Sequence, residues 1–555
     1  MTPAAPPTPA GPLLRGRWSA LVAIAGGLTG VLAFPSFGIW PLAAVSVAAL
    51  SVAVHGHRTR VGAGLGLLWG AAFFIPLLSW TGIYVGPAPW LILAVTEAAY
   101  LVLLGAALPT LQRSRFAPLW IGFAWVADEA LRSRWPFGGF PWGRWAFSQA
   151  DSPLRWFAAL AGAPLVSFVV ALAGGALASV VVGLVRRPSG MLALVRPVAV
   201  VVAVPVLALL LVPVLTPSPA AAAADRTVVA VVQGNVQKAG LQIEDRARQV
   251  LDNHVQATLD LAADVAAGTR PQPDLVVWPE NASDVDPYRD ATAAAAISSA
   301  ADAVRAPILV GAILDGPGDD HISNTAILWA PRTATSDGGP GATYTKRHPV
   351  PFAEYIPLRS LARMVSDKVD LVQRDMAAGG GDGLVTGGPF PIGDVICFEI
   401  AYDGLVQSSV RAGAQLLVVQ TNNATFGFTD ETYQQLAMSK LRAVETGRTV
   451  LAASTSGVSA VIDPTGHVAL RSGALFTRAV LVSEVSLSTS LTPAVRVGAW
   501  PEYVMVAGAL VAWLALVMRT RLARRRARRR DTEGSAADPG TQPAAPVPAT
   551  TGVPQ

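Results

Sequence analysis

The sequence is poor in cysteine and in charged residues. Its 555 residues include a single cysteine, Cys397, which excludes an internal disulfide and therefore a small fold held together by disulfides. Charged residues make up 14% of the chain and hydrophobic residues 52%, whereas about 25% of the residues of soluble domains are charged. This shortage of charge argues against an ordinary soluble protein and is typical of a chain with several membrane-spanning segments.

The basic residues are concentrated in one short segment. The formal net charge is +5, yet eight arginines lie between Arg519 and Arg530, and without them the chain would carry a net negative charge. A basic cluster directly after an apolar run is typical of a cytoplasmic anchor that faces anionic lipids. We therefore expect the lipid bilayer as a partner, and no nucleic acid.

Apolar runs long enough to cross the hydrocarbon layer predict eight membrane spans. Basic residues occupy alternate connections between them, which predicts a multi-pass protein of the cytoplasmic membrane with both termini in the cytoplasm and segment 216–496 outside. The predicted spans lie near residues 18–34, 39–54, 61–80, 90–109, 116–130, 156–185, 192–215 and 497–518. The predicted domains are a disordered tail at 1–17, a seven-span bundle at 18–215, a catalytic domain at 226–496, the eighth span at 497–518, and a basic, then disordered, tail at 519–555.

The segment 226–496 has a different pattern. Short β-branched runs such as L-V-V-W alternate with helical stretches, which indicates an α/β domain with helices covering its sheets. In such sheets, functional residues lie at the carboxyl ends of strands. Three reactive residues fit this description, namely Glu280 after L-V-V-W-P, Lys346 after A-T-Y-T and Cys397 after G-D-V-I.

Together these three side chains have the chemistry of a nucleophilic site. A thiol becomes a nucleophile when a carboxylate takes its proton, and a lysine together with the backbone N–H of Phe398 would stabilise the resulting oxyanion. Each residue also has an ordinary structural interpretation: Glu280 as a solvated loop acid, Lys346 as a surface charge and Cys397 as a core side chain. Taken singly, these structural interpretations are the more common ones, and only the joint order and surroundings favour the site.

Five segments resemble the nitrilase-like carbon–nitrogen hydrolase superfamily, whose members carry a Glu, a Lys and a Cys in this order. The segments are V-V-Q-G-N-V at 231–236, W-P-E at 278–280, Y-T-K-R-H-P-V-P-F-A-E-Y-I-P at 344–357, I-C-F-E at 396–399 and T-N-N-A-T-F-G at 421–427. The chain resembles in particular a membrane-bound branch, the apolipoprotein N-acyltransferases. This resemblance implies a multi-pass bundle of eight helices and an extracytoplasmic nitrilase-like αββα sandwich between the seventh and eighth spans.

The same resemblance implies a role for each residue. We expect no metal site, because His55 and His57 have no third ligand nearby in the sequence, and no other cofactor. Glu280 is expected to be the general base, Lys346 the cation that stabilises the oxyanion, and Cys397 the nucleophile. The expected accessory residues are Glu354, which fixes the lysine or helps the base, Glu399, which braces the nucleophile turn, and Phe398. A purely structural hydrogen bond remains the alternative for both accessory acids. Phe398, Asn423 and Thr425 stand where the family often has Tyr, Asp and Trp.

The implied reaction has two halves. A phospholipid donates an acyl chain to Cys397 as a thioester, and the α-amino group of a diacylglyceryl-cysteine at the N-terminus of an apolipoprotein then takes the acyl group as an amide. A membrane-tethered amidase or nitrilase is one alternative, separated from the transferase only by access to the site. A non-catalytic lipid-binding or transport protein is the other, and the presence of all three reactive residues disfavours it.

Three regions are candidates for substrate contact. The loop 131–156 contains Trp142 and Trp145 among other tryptophans and arginines, which favours an interfacial aromatic belt and leaves headgroup binding as the alternative. Asn422 and Asn423 are further candidates for binding substrate. The segment 356–381 is predicted to form a lid helix on the membrane, hinged at its glycines 379–381.

Overall fold

The computed structural model describes residues 11–186, 192–215, 225–236 and 243–536. The predicted tails therefore lie partly outside the described residues, at 1–10 and 537–555.

Each predicted span of the first 215 residues falls on a helix. The helices of this part are α1 (Arg17–Val31), α2 (Leu42–Val54), α3 (Thr59–Leu77), α4 (Gly82–Val85), α5 (Pro87–Leu111), α6 (Ala117–Arg132), α7 (Ala158–Arg186) and α8 (Leu192–Leu215). α7 is interrupted at Ala161 and Gly162, whose backbone angles are not helical.

Four helical segments of the described residues are long and apolar enough to cross a membrane. They are Thr59–Leu77, Pro87–Leu111, Pro153–Arg186 and Trp500–Ala527, with mean hydropathy between 1.5 and 2.5. α2 and the Val195–Leu210 part of α8 are apolar but shorter. These helices are those of a membrane protein, while the count of eight spans stays a prediction.

Glycines allow α3 and α5 to pack closely. A side chain at Gly66 would overlap the carbonyl oxygen of Leu101, and one at Gly105 would overlap that of Gly62. Gly62 and Gly66 are four residues apart and so lie on one face of α3. Backbone contact of this kind is how apolar helices associate where no hydrophobic effect drives them together.

A buried ion pair fixes the loop that follows α6. Arg132 and Glu97 are both buried, and Arg132 Nη1 lies 3.3 Å from Glu97 Oε2. The same Nη1 donates to the carbonyl oxygens of Phe140 and Trp142. Because a buried charge is tolerated only when it is paired and hydrogen-bonded, this arrangement ties the loop to the bundle.

The segment after residue 225 folds into two sheets with helices, which confirms the α/β prediction. The strands are β1 (Arg226–Gln233), β2 (Leu275–Val277), β3 (Ile308–Asp315), β4 (His321–Ala330), β5 (Gly339–Thr345), β6 (Asp375–Met376), β7 (Leu384–Val385), β8 (Ile392–Ile396), β9 (Leu416–Thr421), β10 (Val450–Ser454), β11 (Ala460–Ile462), β12 (Val468–Arg471) and β13 (Ala479–Ser486). The helices are α9 (Ile243–Ala266), α10 (Ala291–Val304), α11 (Arg359–Val365), α12 (Asp403–Arg411) and α13 (Glu431–Thr446). The first sheet has the order β13-β1-β2-β3-β4-β5, with β6 paired to β4, and the second has the order β12-β11-β10-β9-β8-β7.

The two sheets pack face to face between two layers of helices. Val231 and Leu309 of the first sheet share an apolar cluster with Val418 and Leu451 of the second. α9 and α10 cover the outer face of the first sheet, and α13 covers that of the second. The apolar cluster under α13 also includes residues of the membrane bundle, so the second sheet is the one that faces the bundle.

The chain returns to the bundle after β13. A short helix, α14 (Pro493–Val497), precedes α15 (Trp500–Ala536). α15 continues past residue 518, the predicted end of the eighth span, so the arginines between 519 and 530 lie on the same helix.

Candidate active site

Glu280 lies three residues beyond the end of β2 and is only 3% exposed. Its Oε1 accepts hydrogen bonds from Lys346 Nζ at 3.2 Å and from Asn324 Nδ2 at 2.7 Å. Its Oε2 accepts one from the backbone N–H of Asn422 at 2.8 Å. These three donors fix the orientation of the carboxylate.

Lys346 follows β5 directly, is fully buried and lies between two carboxyl groups. Its Nζ donates to Glu280 and, at 2.6 Å, to Glu354 Oε1. Burial by itself lowers the pKa of Lys346, but Glu280, Glu354 and Cys397 outweigh burial and raise this pKa well above its usual value. The lysine is therefore positively charged at neutral pH.

Glu354 holds the lysine from a tight loop. Its second carboxyl oxygen accepts from the backbone N–H of Val350 at 2.8 Å. Burial raises the pKa of Glu354, and the positive charge of Lys346 opposes that rise. This geometry corresponds to the first of the two roles predicted for Glu354, fixing the lysine.

Cys397 is the first residue of a one-turn 3-10 helix, Cys397–Ala401, that begins where β8 ends. Its φ is +55°, a left-handed conformation that costs a residue with a side chain about 1–2 kcal/mol. Burial, followed by the charge of Glu280, raises the pKa of Cys397 well above its usual value, while Lys346 acts in the opposite direction. The thiol is therefore protonated at neutral pH until a base takes its proton.

Glu399 fixes the strained turn from inside. Its Oε1 accepts from the backbone N–H groups of Arg347 and His348 at 2.8 and 3.0 Å. Its Oε2 accepts from Tyr344 Oη at 2.8 Å and from the N–H of Ile396 at 2.9 Å. Glu399 therefore connects the turn after β8 to the end of β5, which carries the lysine.

Phe398 contacts the loop that follows α6. Its ring stacks on Trp142 with centroids 5.7 Å apart and an interplanar angle of 4°, and on Phe140 at 5.3 Å. Trp142 Nε1 donates to Gln434 of α13 at 2.6 Å. The residue after the nucleophile is therefore packed against the bundle side of the molecule.

The interfacial aromatic belt predicted for loop 131–156 is wrong for three of its four tryptophans. Trp142, Trp145 and Trp156 are buried within the protein, and only Trp135 is exposed. Trp145 packs on Trp69 and other aromatic rings of the bundle, away from Cys397, whereas Trp142 lies beside the nucleophile turn. The arginines among these tryptophans are paired with buried acids, which draws the loop inward.

The two asparagines lie at the end of β9, next to the predicted base. Asn422 contributes its backbone N–H to Glu280. The side chain of Asn423 is engaged with protein groups, because Nδ2 donates to Glu431 Oε2 at 2.7 Å and to Gln435 Oε1 at 3.0 Å.

The predicted lid segment has an exposed apolar surface. It contains α11 and a 3-10 turn, Asp367–Leu371. Its exposed large apolar side chains are Leu358, Leu361, Met364, Val365 and Leu371. Of the predicted hinge residues, Gly379 donates its N–H to the carbonyl oxygen of Lys346 at 2.8 Å, whereas Gly380 and Gly381 have open space around them.

Sequence reasoning missed three residues of the site. Asn324 and Tyr344 contact the base and the bracing acid from β4 and β5, and Gln435 Nε2 lies 3.7 Å from Cys397 Sγ. Asn324 stands between a serine and a threonine, and Tyr344 between two threonines, so neither is marked out by its strand pattern. Gln435 is not marked out either, since glutamine is an ordinary helix-forming residue.

The arrangement suits nucleophilic acyl chemistry. A buried carboxylate and a positively charged lysine lie beside a thiol on a strained turn, which supplies a base, an oxyanion partner and a nucleophile. Within the described ranges, no three His, Cys, Asp or Glu side chains are grouped so as to hold a metal ion.

Two family matches divide the chain as the fold does. Residues 26–176 match the family described as apolipoprotein N-acyltransferase N-terminal domain, and residues 228–491 match carbon–nitrogen hydrolase. Among solved structures, Nit3 of Saccharomyces cerevisiae, of the nitrilase superfamily, has a TM-score of 0.33 and 19% identity, covering 47% of this chain and 90% of its own. An amidase from Nesterenkonia sp. has a TM-score of 0.33 and 18% identity, with coverages of 49% and 92%.

Curated relatives match along nearly the whole chain. The apolipoprotein N-acyltransferase of Mycolicibacterium smegmatis is 42% identical over 525 residues, which is 92% of this chain and 87% of the relative. The apolipoprotein N-acyltransferase of Pseudomonas putida is 32% identical over 523 residues, with coverages of 90% and 97%. The chain therefore belongs to the apolipoprotein N-acyltransferase family.

Proposed function

We propose that this chain transfers an acyl group from a phospholipid to the α-amino group of the N-terminal diacylglyceryl-cysteine of a lipoprotein, through a thioester on Cys397. The observation that carries the proposal is the contact of Lys346 with Glu280 and Glu354 beside the single cysteine of the chain. The name shared by the curated relatives supports the lipoprotein acceptor. A soluble amidase would have no use for the apolar helices.

In the first half-reaction, Glu280 takes the thiol proton and the Cys397 thiolate attacks the ester carbonyl of the phospholipid. Lys346 and the backbone N–H of Phe398 stabilise the oxyanion, a role worth about 3 kcal/mol per donor. When the C–O bond breaks, Glu280 returns the proton to the leaving alkoxide. The lysophospholipid departs and leaves a thioester on Cys397.

In the second half-reaction, the deprotonated amine of the acceptor attacks the thioester. Glu280 accepts the proton that the nitrogen loses, the C–S bond breaks, and the proton passes to the Cys397 sulfur. Activity should therefore fall as pH drops and the acceptor amine becomes protonated. Water has to be kept from the thioester, and closure of the lid segment 356–381 over a lipid-filled site would do so.

The proposed arrangement in the membrane has eight spans, with the α/β domain on the extracytoplasmic side and both termini in the cytoplasm. It is supported by the basic residues, which occupy alternate connections between the predicted spans, and by the arginines between 519 and 530 on α15. The chain is well suited to a labelling test, because replacing Cys397 by alanine removes its only thiol. In that background, an impermeant maleimide added to intact cells should label Ser336→Cys, on an exposed turn of the α/β domain, and leave Ala527→Cys unlabelled. The reverse pattern would contradict the orientation.

The catalytic proposal is tested with the full-length purified protein and a phospholipid of defined acyl chain. Intact mass should show one acyl adduct that hydroxylamine removes, as a thioester requires, and that is absent from Cys397→Ala. Adding a diacylglyceryl-cysteine peptide should discharge the adduct and yield the N-acyl peptide. If no phospholipid acylates the protein while small amides are hydrolysed, the chain is an amidase and the proposal is wrong.

A further inference from the structure

Gln435 reaches the nucleophile from α13, an element that carries neither the base nor the lysine. Its side chain is buried, and Nε2 lies 3.7 Å from Cys397 Sγ, within reach of an N–H···S hydrogen bond. A hydrogen bond to the sulfur would act directly on the thiolate. Lys346 acts on it through its charge, because its ammonium group is held between Glu280 and Glu354.

The orientation of the Gln435 amide is set by its neighbour Asn423. Asn423 Nδ2 donates to Gln435 Oε1 and to Glu431 Oε2, while its Oδ1 accepts from Thr421 Oγ1 at 2.7 Å and Ser454 Oγ at 2.6 Å. A flipped Asn423 amide would place its oxygen against the oxygens of Gln435 and Glu431. Because the Gln435 oxygen is thus bound to Asn423, its nitrogen faces the sulfur.

Glu431, the first residue of α13, completes this network without adding negative charge at neutral pH. Burial, assisted by Glu280 and opposed by the hydrogen bond from Asn423, raises the pKa of Glu431 to about 8. Its carboxyl group is therefore protonated at pH 7 and can still accept from Asn423 through its carbonyl oxygen. An ionised Glu431 would instead disfavour a thiolate at Cys397.

We propose that Gln435 is a further catalytic residue: its Nε2–H donates a hydrogen bond to the Cys397 sulfur when the thiol ionises, and Asn423 and Glu431 hold it in that orientation. The inference rests on the proposed function, since it takes Cys397 as the nucleophile. It adds the Gln435 hydrogen bond to the charge of Lys346 as a second stabiliser of the thiolate, and leaves stabilisation of the substrate oxyanion to Lys346.

The test is alkylation by iodoacetamide, in which the thiolate displaces iodide and the intact mass grows by one carbamidomethyl group. Cys397 is the only cysteine, so the mass of the whole chain reports on this thiol alone. The titratable groups that act on the thiol are Glu280, Lys346, Glu354 and Glu431, and Gln435→Met replaces none of them. The rate constant and the fraction of protein that reacts are measured from pH 6 to 9 on full-length protein in detergent.

Loss of the donor should lower the thiolate population about tenfold at each pH below the thiol pKa. Higher nucleophilicity of a more basic thiolate offsets part of this, so Gln435→Met and Gln435→Leu should react about threefold to fivefold more slowly at pH 7. Asn423→Ala, which loses the Nδ2 donor without adding charge and frees the Gln435 amide to rotate, should shift the rate in the same direction by less. Gln256→Met, on the exposed face of α9, is the matched control.

A merely structural role for Gln435 would reduce the fraction of protein that reacts and leave the rate constant of the remainder at the wild-type value, which would overturn the inference. Rate constants equal to that of the control in all three variants would overturn it as well. Failure of the proposed function is seen separately, as a wild-type protein that no phospholipid acylates, whatever its alkylation rate.

Discussion

The two helix layers of the α/β domain differ in where they place their charges. Next to the first sheet, Arg248 of α9 pairs with Asp290 before α10, and both side chains are about one third exposed. Next to the second sheet, Arg442 and Glu445 of α13 pair at 2.5 Å and are fully buried. Exposed pairs contribute little to stability, whereas breaking a buried pair is costly.

The buried charges connect the membrane bundle to the nucleophile. Arg442 donates to the carbonyl oxygen of Ala401, at the end of the nucleophile turn, and pairs with Asp403 just beyond it. Asp403 also accepts from Arg144, whose guanidinium lies near Glu129 of α6. Within the described part of the chain, Glu280 and Lys346, which come from the first sheet, form ion pairs only with each other and with Glu354. The difference indicates that the bundle supports the nucleophile half of the site as well as anchoring the domain.

The largest expected effect tests this contrast in stability. Arg442→Met should destabilise the fold by about 3–5 kcal/mol, because it leaves the buried Glu445 without its cationic partner and Asp403 with Arg144 alone. Arg248→Met should cost no more than about 1 kcal/mol. The apparent melting temperature of each variant in detergent measures the two effects. Equal shifts would show that the two helix layers do not differ in the way their charges suggest.

The next largest effect tests the connection between the nucleophile turn and the end of β5, which precedes Lys346. Glu399 accepts four hydrogen bonds and joins the nucleophile turn to the end of β5. Glu399→Gln keeps one oxygen and turns an NH₂ group towards two donors, so about two bonds to a charged acceptor are lost. At roughly 1.5 kcal/mol per bond, acylation of Cys397 should slow by about 100-fold in a single-turnover mass measurement.

The matched control for that variant is Glu484→Gln, at an exposed pair with Arg226. It should acylate at the wild-type rate. A Glu399→Gln protein that acylates as fast as this control would mean that the turn is held without the carboxylate.

Glu280, Lys346 and Cys397 were singled out because reactive side chains at strand ends meet at one edge of an α/β sheet, and the resemblance to the family supplied their roles. The structure places Glu280 and Lys346 in direct contact, while the catalytic roles stay predictions. The α/β class and the positions of the apolar helices followed from periodicity. These features can be predicted from short stretches of sequence because local backbone geometry determines them.

Other features depended on contacts between distant segments and were not predictable. Trp142 and Trp145 have the composition of an interfacial belt, but the pairing of Arg132 and Arg144 with buried acids carries their loop into the protein. Gln435 became part of the site only because α13 packs against the nucleophile turn. Hydrogen bonds between side chains far apart in sequence leave no periodic signal in either segment.

A smaller effect is the dependence of stability on pH that Glu431 should cause. Glu431 begins α13, in the helix layer that faces the bundle. Its pKa is raised from 4.5 to about 8, so the folded protein keeps a proton that the unfolded chain loses above about pH 4.5. Stability should therefore fall as pH rises between these two values and then level off, as far as this group is concerned. Glu431→Gln should remove that dependence and raise the melting temperature relative to wild type more at pH 8 than at pH 5. A difference that is the same at both pH values would contradict the raised pKa.

The smallest expected effect tests whether the segment 356–381, whose strand β6 pairs with β4 of the first sheet, acts as a lid over bound lipid. Gly381 has a φ of +86° and open space around it, so Gly381→Ala should strain the backbone by about 1 kcal/mol without a clash. If this segment is a lid, turnover of phospholipid should fall by about twofold to fivefold while alkylation of Cys397 by iodoacetamide keeps its rate, because the small reagent needs no closure.

Gly380→Ala, also in open space but without the left-handed backbone, is the control. Gly379 is unsuitable, since its N–H is bonded to Lys346 and a change there would disturb the lysine directly. Equal loss of phospholipid turnover and of alkylation would place the effect at the nucleophile, and the segment would then not act as a lid.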